Sequence, residues 1–380
     1  MMNSYILRKE YFGGIVADVN RFSVDAVDKI QFEAIKELRN IRNDNSVTVF
    51  ECETYDGVLS APTSVTIYPS LKCNSNCEFC FVRPLDSKYK LDMTYEEFCK
   101  CVDKLQSAGI IDIEIMGGEP FLIPWIVDGI EYIVAKGMHS SINTNAILLD
   151  NDILERLAKI ENLSLRISIQ DEFDSLPSYI LEIFEICKKY KIRFDALSVL
   201  QKKNCHKLIY LLDRLPKEIV KNLIILYDNP PKGELPKYST EEYYSITRKI
   251  SEYSKRNNLV NVISKGPFGH CYKERKDSEI IKHYDGRCLA CVSRFEIMPN
   301  GGVLPCVKYY AHNDFCIGNL HNQTVQEIWY GKKAALFREK IEQYNNDNCK
   351  NCSWNKFCSG CVGYAEGLNL KMDDRCPRRK

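Results

Sequence analysis

Residues 70–85 read Ser-Leu-Lys-Cys-Asn-Ser-Asn-Cys-Glu-Phe-Cys-Phe-Val-Arg-Pro-Leu, and the three cysteines in this stretch, Cys73, Cys77 and Cys80, decide how the rest of the chain is read. They are spaced C-x3-C-x2-C and follow directly on an alternating, strand-like run, Ser64 to Pro69. Three thiolates in so short a loop suit three corners of a four-iron cluster, leaving the fourth iron without a protein ligand. A structural zinc site wants a fourth ligand close by. The plainer alternative is helical core spacing, because free cysteine packs as a small hydrophobe. Against it, Asn74, Ser75, Asn76 and Glu78 between the cysteines make a poor buried helix.

Working outward, the chain has 380 residues, enough for two or three domains and a sizeable core. Its 52 basic and 51 acidic residues give a formal charge of +1, and no long basic run points to nucleic acid. The first twenty residues carry Arg8, Lys9 and Glu10 and lack the apolar core of a signal peptide. No apolar run is long enough to span a bilayer, so a cytoplasmic protein with no membrane partner is expected. Eighteen cysteines are many for a reducing compartment, which makes metal binding the economical use of most of them. Nine lie between Cys288 and Cys376, and all of these but Cys316 fit ligand spacings. Cys52, Cys99, Cys101, Cys187, Cys205, Cys271 and Cys316 are left over. Core packing suits most of these; Cys101 shares a helical face with Phe98, Val102 and Leu105.

Three regions follow from the pattern. Residues 1–60 form a small α+β region: Tyr5 to Glu10 and Ile15 to Asp18 read as strands around Phe12-Gly13-Gly14, Asp25 to Arg42 as a helix, and Ser46 to Glu53 as a further strand. Residues 64–265 alternate strand and helix, with strands at 64–69, 110–116, 138–143, 163–169, 192–200 and 222–227. The clearest helix begins at the Thr94-x-x-Glu97 capping box and stops at Gly109, and Gly137 plays the same stop role before the third strand. Six βα units predict a parallel sheet with right-handed crossovers, doubly wound or an incomplete barrel. Residues 285–380 are cysteine-rich. In a parallel α/β fold the chemistry gathers at the carboxyl ends of strands. There the chain places the cysteine loop, then Gly117-Gly118-Glu119-Pro120, Asn143-Thr144-Asn145 and Ser168-Ile169-Gln170.

C-x3-C-x2-C with the aromatic Phe79 before its last cysteine resembles the cluster loop of the radical S-adenosylmethionine (SAM) enzymes. The resemblance implies a partial (βα)6 TIM barrel and a 4Fe-4S cluster on Cys73, Cys77 and Cys80. Its open iron would chelate SAM, and electron transfer would release a 5′-deoxyadenosyl radical. It also implies that the GGEP motif, Gly117, Gly118 and Glu119, receives the SAM amino group. Further SAM contacts are implied at Phe79, at Asn145, where Ala146 stands in place of the glycine of a TNG segment, and at Ser168.

After Cys288 and Cys291 come Gly301 and Cys306, then Cys349, Cys352, Cys358 and Cys361 as C-x2-C-x5-C-x2-C, and finally Cys376. This order resembles the SPASM extension of radical SAM enzymes, as do Gly318-Asn319-Leu320 and Ile328-Trp329. The resemblance implies two auxiliary 4Fe-4S clusters, one on Cys288, Cys291, Cys306 and Cys361, the other on Cys349, Cys352, Cys358 and Cys376. The pattern usually has three residues between the last two cysteines of the quartet, where Cys358 and Cys361 enclose two. By spacing alone, a pair of zinc sites stays open.

Eight further thiolates imply a redox use and a net oxidation of substrate. Val307 and Lys308 follow Cys306 where sulfatase-maturating relatives carry aspartate, so that activity is set aside. The leading expectation is a maturase that abstracts hydrogen from a ribosomally made peptide and forms a thioether or carbon–carbon cross-link. Its partners would be a leader-bearing precursor peptide and a flavodoxin- or ferredoxin-type electron donor, with residues 1–60 resembling a leader-recognition element. The alternatives are a SPASM-type dehydrogenase of a small alcohol or sugar and, outside enzymes, an iron–sulfur electron carrier or zinc-binding adaptor. No general base is assigned; Lys308, Tyr309, Tyr310 and His312 are nearby polar residues, and Arg166 and Asp195 lie on strand faces that the pattern does not resolve.

Overall fold

The chain begins with a four-stranded sheet that closes one end of a larger one. The computed structural model describes residues 5–80, 92–170, 175–202, 204–228, 235, 237–268, 271, 288–309, 315–343, 349–350, 352, 358, 360–368, 370 and 373–377. In the first sheet β1 (Tyr5–Glu10) pairs antiparallel with β2 (Gly13–Asp18) and β2 with β3 (Ser23–Asp28), while β4 (Val47–Phe50) runs parallel to β1, giving the order β3-β2-β1-β4. Residues 25–28, read from the pattern as the start of a helix, belong to β3. The helix α1 (Lys29–Ile41) cannot start earlier because Asp28 caps it: its carboxylate accepts from the Gln31 amide, and the Gln31 side chain accepts from the Asp28 amide.

Six βα units follow, as expected. The strands β5 (Ser64–Ile67), β6 (Asp112–Ile115), β7 (His139–Thr144), β8 (Leu163–Ser168), β9 (Phe194–Val199) and β10 (Val220–Leu226) pair in parallel order. Between and after them run α2 (Tyr95–Ser107), α3 (Ile126–Ala135), α4 (Asn151–Leu157), α5 (Ser178–Tyr190), α6 (Lys207–Leu212) and α7 (Thr240–Arg256). The capping box of Thr94 and Glu97 is present, and Gly109 and Gly137 take left-handed backbone at the helix ends. The outer face of the sheet packs Val65, Ile67, Ile113, Ile115, Leu165, Ile167, Ala196 and Leu223 against the helices. The inner face is polar: Thr66, Glu114, Arg166, Asp195 and Asn222 alternate with those core residues.

Four strands extend this sheet beyond the six. β11 (Asn261–Lys265) is parallel to β10, and β12 (Arg294–Ile297) is parallel to β5; antiparallel β13 (Gly302–Leu304) and β14 (Gly318–Asn319) follow. The cysteine-rich region thus starts inside the barrel sheet rather than beside it, because Phe295 and Ile297 of β12 are fully buried in the same core. Among the described residues no helix is long and apolar enough to cross a membrane.

The segment Leu59–Pro62 joins all three regions. Arg8 of β1 is fully buried; its Nε pairs with Glu10 at 2.9 Å, and its terminal nitrogens donate to Ala61 O, Pro62 O and Gly109 O at 2.9, 2.7 and 2.9 Å. Glu10 in turn accepts from the amide and hydroxyl of Ser60. From the C-terminal side, after α8 (Val325–Trp329), Trp329 Nε1 donates to Leu59 O at 2.7 Å and Tyr330 hydroxyl to Ser60 O at 3.2 Å. Lys104 of α2 adds a second joint, its ammonium held by the carbonyls of Leu320, His321 and Gln323. Replacing Arg8 with Met strands the Glu10 carboxylate and three carbonyls in the interior, so a loss of about 3–5 kcal/mol is expected in guanidinium unfolding. The same change at Lys36, whose pair with Glu51 lies at the surface, should leave the unfolding midpoint nearly unchanged.

Candidate functional site

The cysteine loop leaves the carboxyl end of β5. Its first residues are clamped to the start of α2: Ser70 hydroxyl and Lys72 ammonium both bind Asp92, at 2.7 and 2.6 Å. Cys80 N donates to Cys77 O at 3.2 Å, a turn that gathers the second and third thiols, and Ser75 N donates to Cys73 Sγ at 3.4 Å. Residues 81–85 of the opening stretch lie outside the described residues.

Gly117 and Gly118 are required by this loop. Gly118 N donates to Ser70 O at 3.1 Å and Glu119 N to Lys72 O at 2.8 Å, so two backbones lie in direct contact. A Cβ on Gly117, which also takes φ +149°, would stand 2.1 Å from Ser70 O, and one on Gly118 would stand 1.9 Å from Lys72 O. Only glycine fits either position.

Glu119 is 2% exposed. One carboxylate oxygen accepts from Phe121 N at 3.1 Å and Thr144 Oγ1 at 2.7 Å, the other from Asn145 N at 2.8 Å. Burial pushes its carboxyl up even against these three donors. No cation pairs with it among the described residues. A desolvated carboxylate held in fixed orientation without a counter-charge is suited to receive an ammonium group. Asn145 carries the network back to the cysteine loop, its amide donating to Asn74 Oδ1 and Ser75 Oγ at 2.7 and 3.0 Å. Ala146 takes φ +65°, so the turn keeps the left-handed geometry that a glycine would adopt more readily. Ser168 ends β8 and Phe79 lies in the loop, both half-buried. Neither joins the Glu119 network among the described residues.

The donor set fits the groups the sequence implied: three thiols on one loop for iron, and a buried carboxylate for the amino group of SAM. Two groups of neighbours stand out among the downstream cysteines. The Cys306 thiol is raised by burial and by its neighbours Cys288 and Cys361, and Cys288 adjoins Cys291. Burial pushes Cys288 and Cys291 up to about 12, so cationic iron is the compensating charge that would hold them as thiolates. Cys361 reaches this group although its spacing from Cys358 is one residue short, because Gly360 turns the chain at φ +63°. Its amide is fixed by Asp373, which also binds the Arg375 guanidinium; Arg375 O accepts from Thr240 at the start of α7. Cys358 stands near Cys376 and Cys349, and Cys352 N closes a turn on Cys349 O. Cys271, left over in the sequence reading, is also a close neighbour of Cys358. No sequence signal placed it, because the contact is non-local: Cys271 N binds Phe268 O, and Phe268 packs on Gly360. Cys101, by contrast, is buried in α2 beside Phe98, Val102 and Leu105.

A small apolar cluster, Tyr68, Leu71, Met298 and Leu304, packs against both Cys80 of the cysteine loop and Val307 and Cys316 of the C-terminal region. Lys308 is half-buried near Cys361, Cys306 and Asp228; Tyr309 donates to Glu366 at 2.6 Å. Tyr310 and His312 lie outside the described residues. Asp228, 5% exposed at the end of β10, and Lys265 and Glu296 on the flanking strands carried no sequence motif.

The sequence matches the radical SAM superfamily over residues 67–224 and SPASM, an iron–sulfur cluster-binding domain, over residues 288–353. The AdoMet-dependent heme synthase of Methanosarcina barkeri is 24% identical over 326 residues, 80% of this chain and 91% of that protein. The antilisterial bacteriocin subtilosin biosynthesis protein AlbA of Bacillus subtilis is 23% identical, over 91% of this chain and 76% of its own. Among solved structures, Streptococcus suis SuiB bound to S-adenosylmethionine aligns with a TM-score of 0.78 over 99% of both chains at 19% identity, and the same protein has been solved with its precursor peptide SuiA.

Two substitutions separate the sites. Gly118→Ala should drive the Lys72 carbonyl away and lower SAM affinity at least tenfold in equilibrium binding, while iron falls from about 12 to about 8 atoms per chain. Cys361→Ala should remove about 4 iron atoms with SAM affinity within twofold of wild type.

Proposed function

The chain belongs to the radical SAM superfamily and carries a C-terminal SPASM domain, and from that premise we propose that it matures a ribosomally made peptide, oxidising one residue and capturing it in a thioether or carbon–carbon cross-link. A radical SAM domain requires a 4Fe-4S cluster and SAM, which together supply hydrogen-abstracting radical chemistry, and a SPASM domain binds auxiliary clusters. Here Cys73, Cys77 and Cys80 would hold the first cluster, and Glu119 would orient SAM through its amino group. The Tyr68, Leu71, Met298 and Leu304 cluster packs against Cys80 of the first cysteine loop and against Val307, next to Cys306. Cys288, Cys291, Cys306 and Cys361, and Cys349, Cys352, Cys358 and Cys376, would hold the auxiliary pair, suited to receive electrons as the substrate is oxidised. A flavodoxin- or ferredoxin-type protein would supply the initiating electron.

The observation that carries the peptide reading is the edge of the N-terminal sheet. β3 pairs only with β2 among the described residues, and Ser23, Val24, Asp25 and Ala26 are all exposed. An extended leader can add to this edge through main-chain hydrogen bonds. SuiB, whose fold matches over nearly the whole chain, has been solved with its precursor peptide, and AlbA is named for bacteriocin biosynthesis; both support a peptide substrate. The sheet lies at the amino ends of the barrel strands, where Phe22 stacks on His139 of β7 at 4.6 Å, whereas Glu119 and the cysteine loop lie at the carboxyl ends. Barrel strands of 4 to 7 residues span roughly 13–23 Å. A leader on β3 therefore needs a spacer of at least about 7 extended residues before the modified segment.

Proline at Val24 or Ala26 removes a donor from the β3 edge without entering the barrel. Across the two variants, affinity for a candidate precursor, any short peptide found encoded beside the gene, should fall at least tenfold and cross-linked product with it, read by mass spectrometry. Formation of 5′-deoxyadenosine without peptide should persist. Unchanged peptide affinity in both variants would remove the leader-binding role.

A further inference from the structure

The second auxiliary set, Cys349, Cys352, Cys358 and Cys376, supplies four thiolates, all that a 4Fe-4S cluster takes. A fifth thiol stands beside it. Cys271 comes from just past β11 of the barrel sheet, far in sequence from the other four. Gly360 is the point where the segments meet, and its amide donates to Cys358 Sγ at 3.4 Å. A Cβ on Gly360 would stand 3.3 Å from Asp373 Cβ and 3.7 Å from the Phe268 ring, so these two side chains flank it. Asp373 O accepts from Cys376 N at 3.3 Å, and Phe268 O from Cys271 N at 2.9 Å. One glycine thus gathers three cysteines: Cys358 by its own amide, Cys376 through the Asp373 turn and Cys271 through the Phe268 turn. Phe268 holds its turn at φ +58°, a left-handed backbone that a bulky residue rarely adopts, and its side chain is buried in doing so. The electrostatics agree with the packing, since Cys271 acts on Cys358 more strongly than Cys376 or Cys349 does. Cys352 joins the group through its turn on Cys349 O.

We propose that Cys271 is a fifth thiol of the second auxiliary site, able to take the cluster corner of Cys358. The inference rests on the assignment of that cluster to Cys349, Cys352, Cys358 and Cys376. An iron–thiolate bond passes from one sulfur to a neighbour without electron transfer: the arriving thiol gives up its proton as it binds, and the departing thiolate takes one up. Such an exchange needs a second sulfur at the same corner, and shared packing on Gly360 brings Cys271 and Cys358 to one place. Other surplus cysteines differ in kind. Cys101 and Cys187 are buried among apolar side chains of α2 and α5, whereas Cys271 is half-buried in a loop beside ligand cysteines. A bond from Cys271 would also join the cluster to the barrel, because the other four thiols all come from the C-terminal region.

Iron analysis and thiol mapping of the cluster-loaded, full-length protein test this. Wild type should carry about 12 iron atoms, with Cys271 open to iodoacetamide. Cys358→Ala should keep about 12, because Cys271 takes the vacated corner. In that variant alkylation of Cys271, read by peptide mass spectrometry, should slow at least about tenfold, since an iron-bound thiolate is shielded. Cys271→Ala should also keep about 12 iron atoms, whereas the double variant Cys271→Ala/Cys358→Ala should fall to about 8. A fall to about 8 in Cys358→Ala alone overturns the proposal, as does equal alkylation of Cys271 in loaded wild type and loaded Cys358→Ala. Should the alanine variant not fold, Cys358→Ser decides by the same alkylation measurement, slowed for the proposal and unchanged against it. Wild type holding only about 8 iron atoms removes the second cluster itself and the proposal with it, an outcome distinct from the failure of Cys271 to replace Cys358.

Discussion

Direct backbone contact between Ser70–Lys72 and Gly117–Gly118 is the constraint on which the site depends. At that point the first and second barrel strands deliver their loops with no side chain between them, and two amide-to-carbonyl hydrogen bonds lock the approach. Everything nearby is then set by short connections. Glu119 follows Gly118 and is turned inward, where Thr144 and Asn145 of the third strand supply its donors; Asn145 then reaches back to Asn74 and Ser75 between the first two cysteines. Three strands thus close a hydrogen-bonded circuit around the place where iron and an ammonium group would meet. Such a circuit fixes the carboxylate before any ligand arrives, which reduces the ordering needed on binding.

A second constraint keeps this site in register with the auxiliary cysteines. Residues 59–62 lie just before β5, and they receive Arg8 and Glu10 from the N-terminal sheet and Trp329 and Tyr330 from the C-terminal region. Since β12 also pairs with β5, Cys288, Cys291 and Cys306, which flank β12 and β13, are held against the same sheet whose first strand leads into Cys73.

Much of this was legible in the sequence where the physics is local. The six strands were legible because period-two alternation and glycine stops act within a few residues, and Glu119 and the cysteines drew attention because short motifs are themselves local. The misses were non-local. Residues 25–28 have the apolar content of a helix start, yet the Asp28 cap and pairing with β2 claim them for a strand. β12 reads as a short run beyond a compositional boundary, and only its partner, β5, more than two hundred residues earlier, makes it part of the barrel. Arg166 and Asp195 could not be given a face because their roles come from Glu114 and Asn222 on other strands. Cys271 carries no ligand spacing and is brought to Cys358 by packing of Phe268 on Gly360.

The two faces of the barrel sheet show why a radical enzyme can carry so much buried charge. The outer face is a continuous aliphatic layer against the helices, and it supplies the stability of the fold. The inner face is then free to hold Glu114, Arg166, Asp195, Arg294 and Glu296, groups whose removal from water is costly unless each is paired. Glu114, Arg166 and Asp195 are paired within the chain, while Arg294 Nε, Glu296 Oε2 and Asn143 Oδ1 are buried without a partner among the described residues. Pairing across strands offsets the cost of taking these charges out of water, which is why Glu114 sits between two arginines rather than alone.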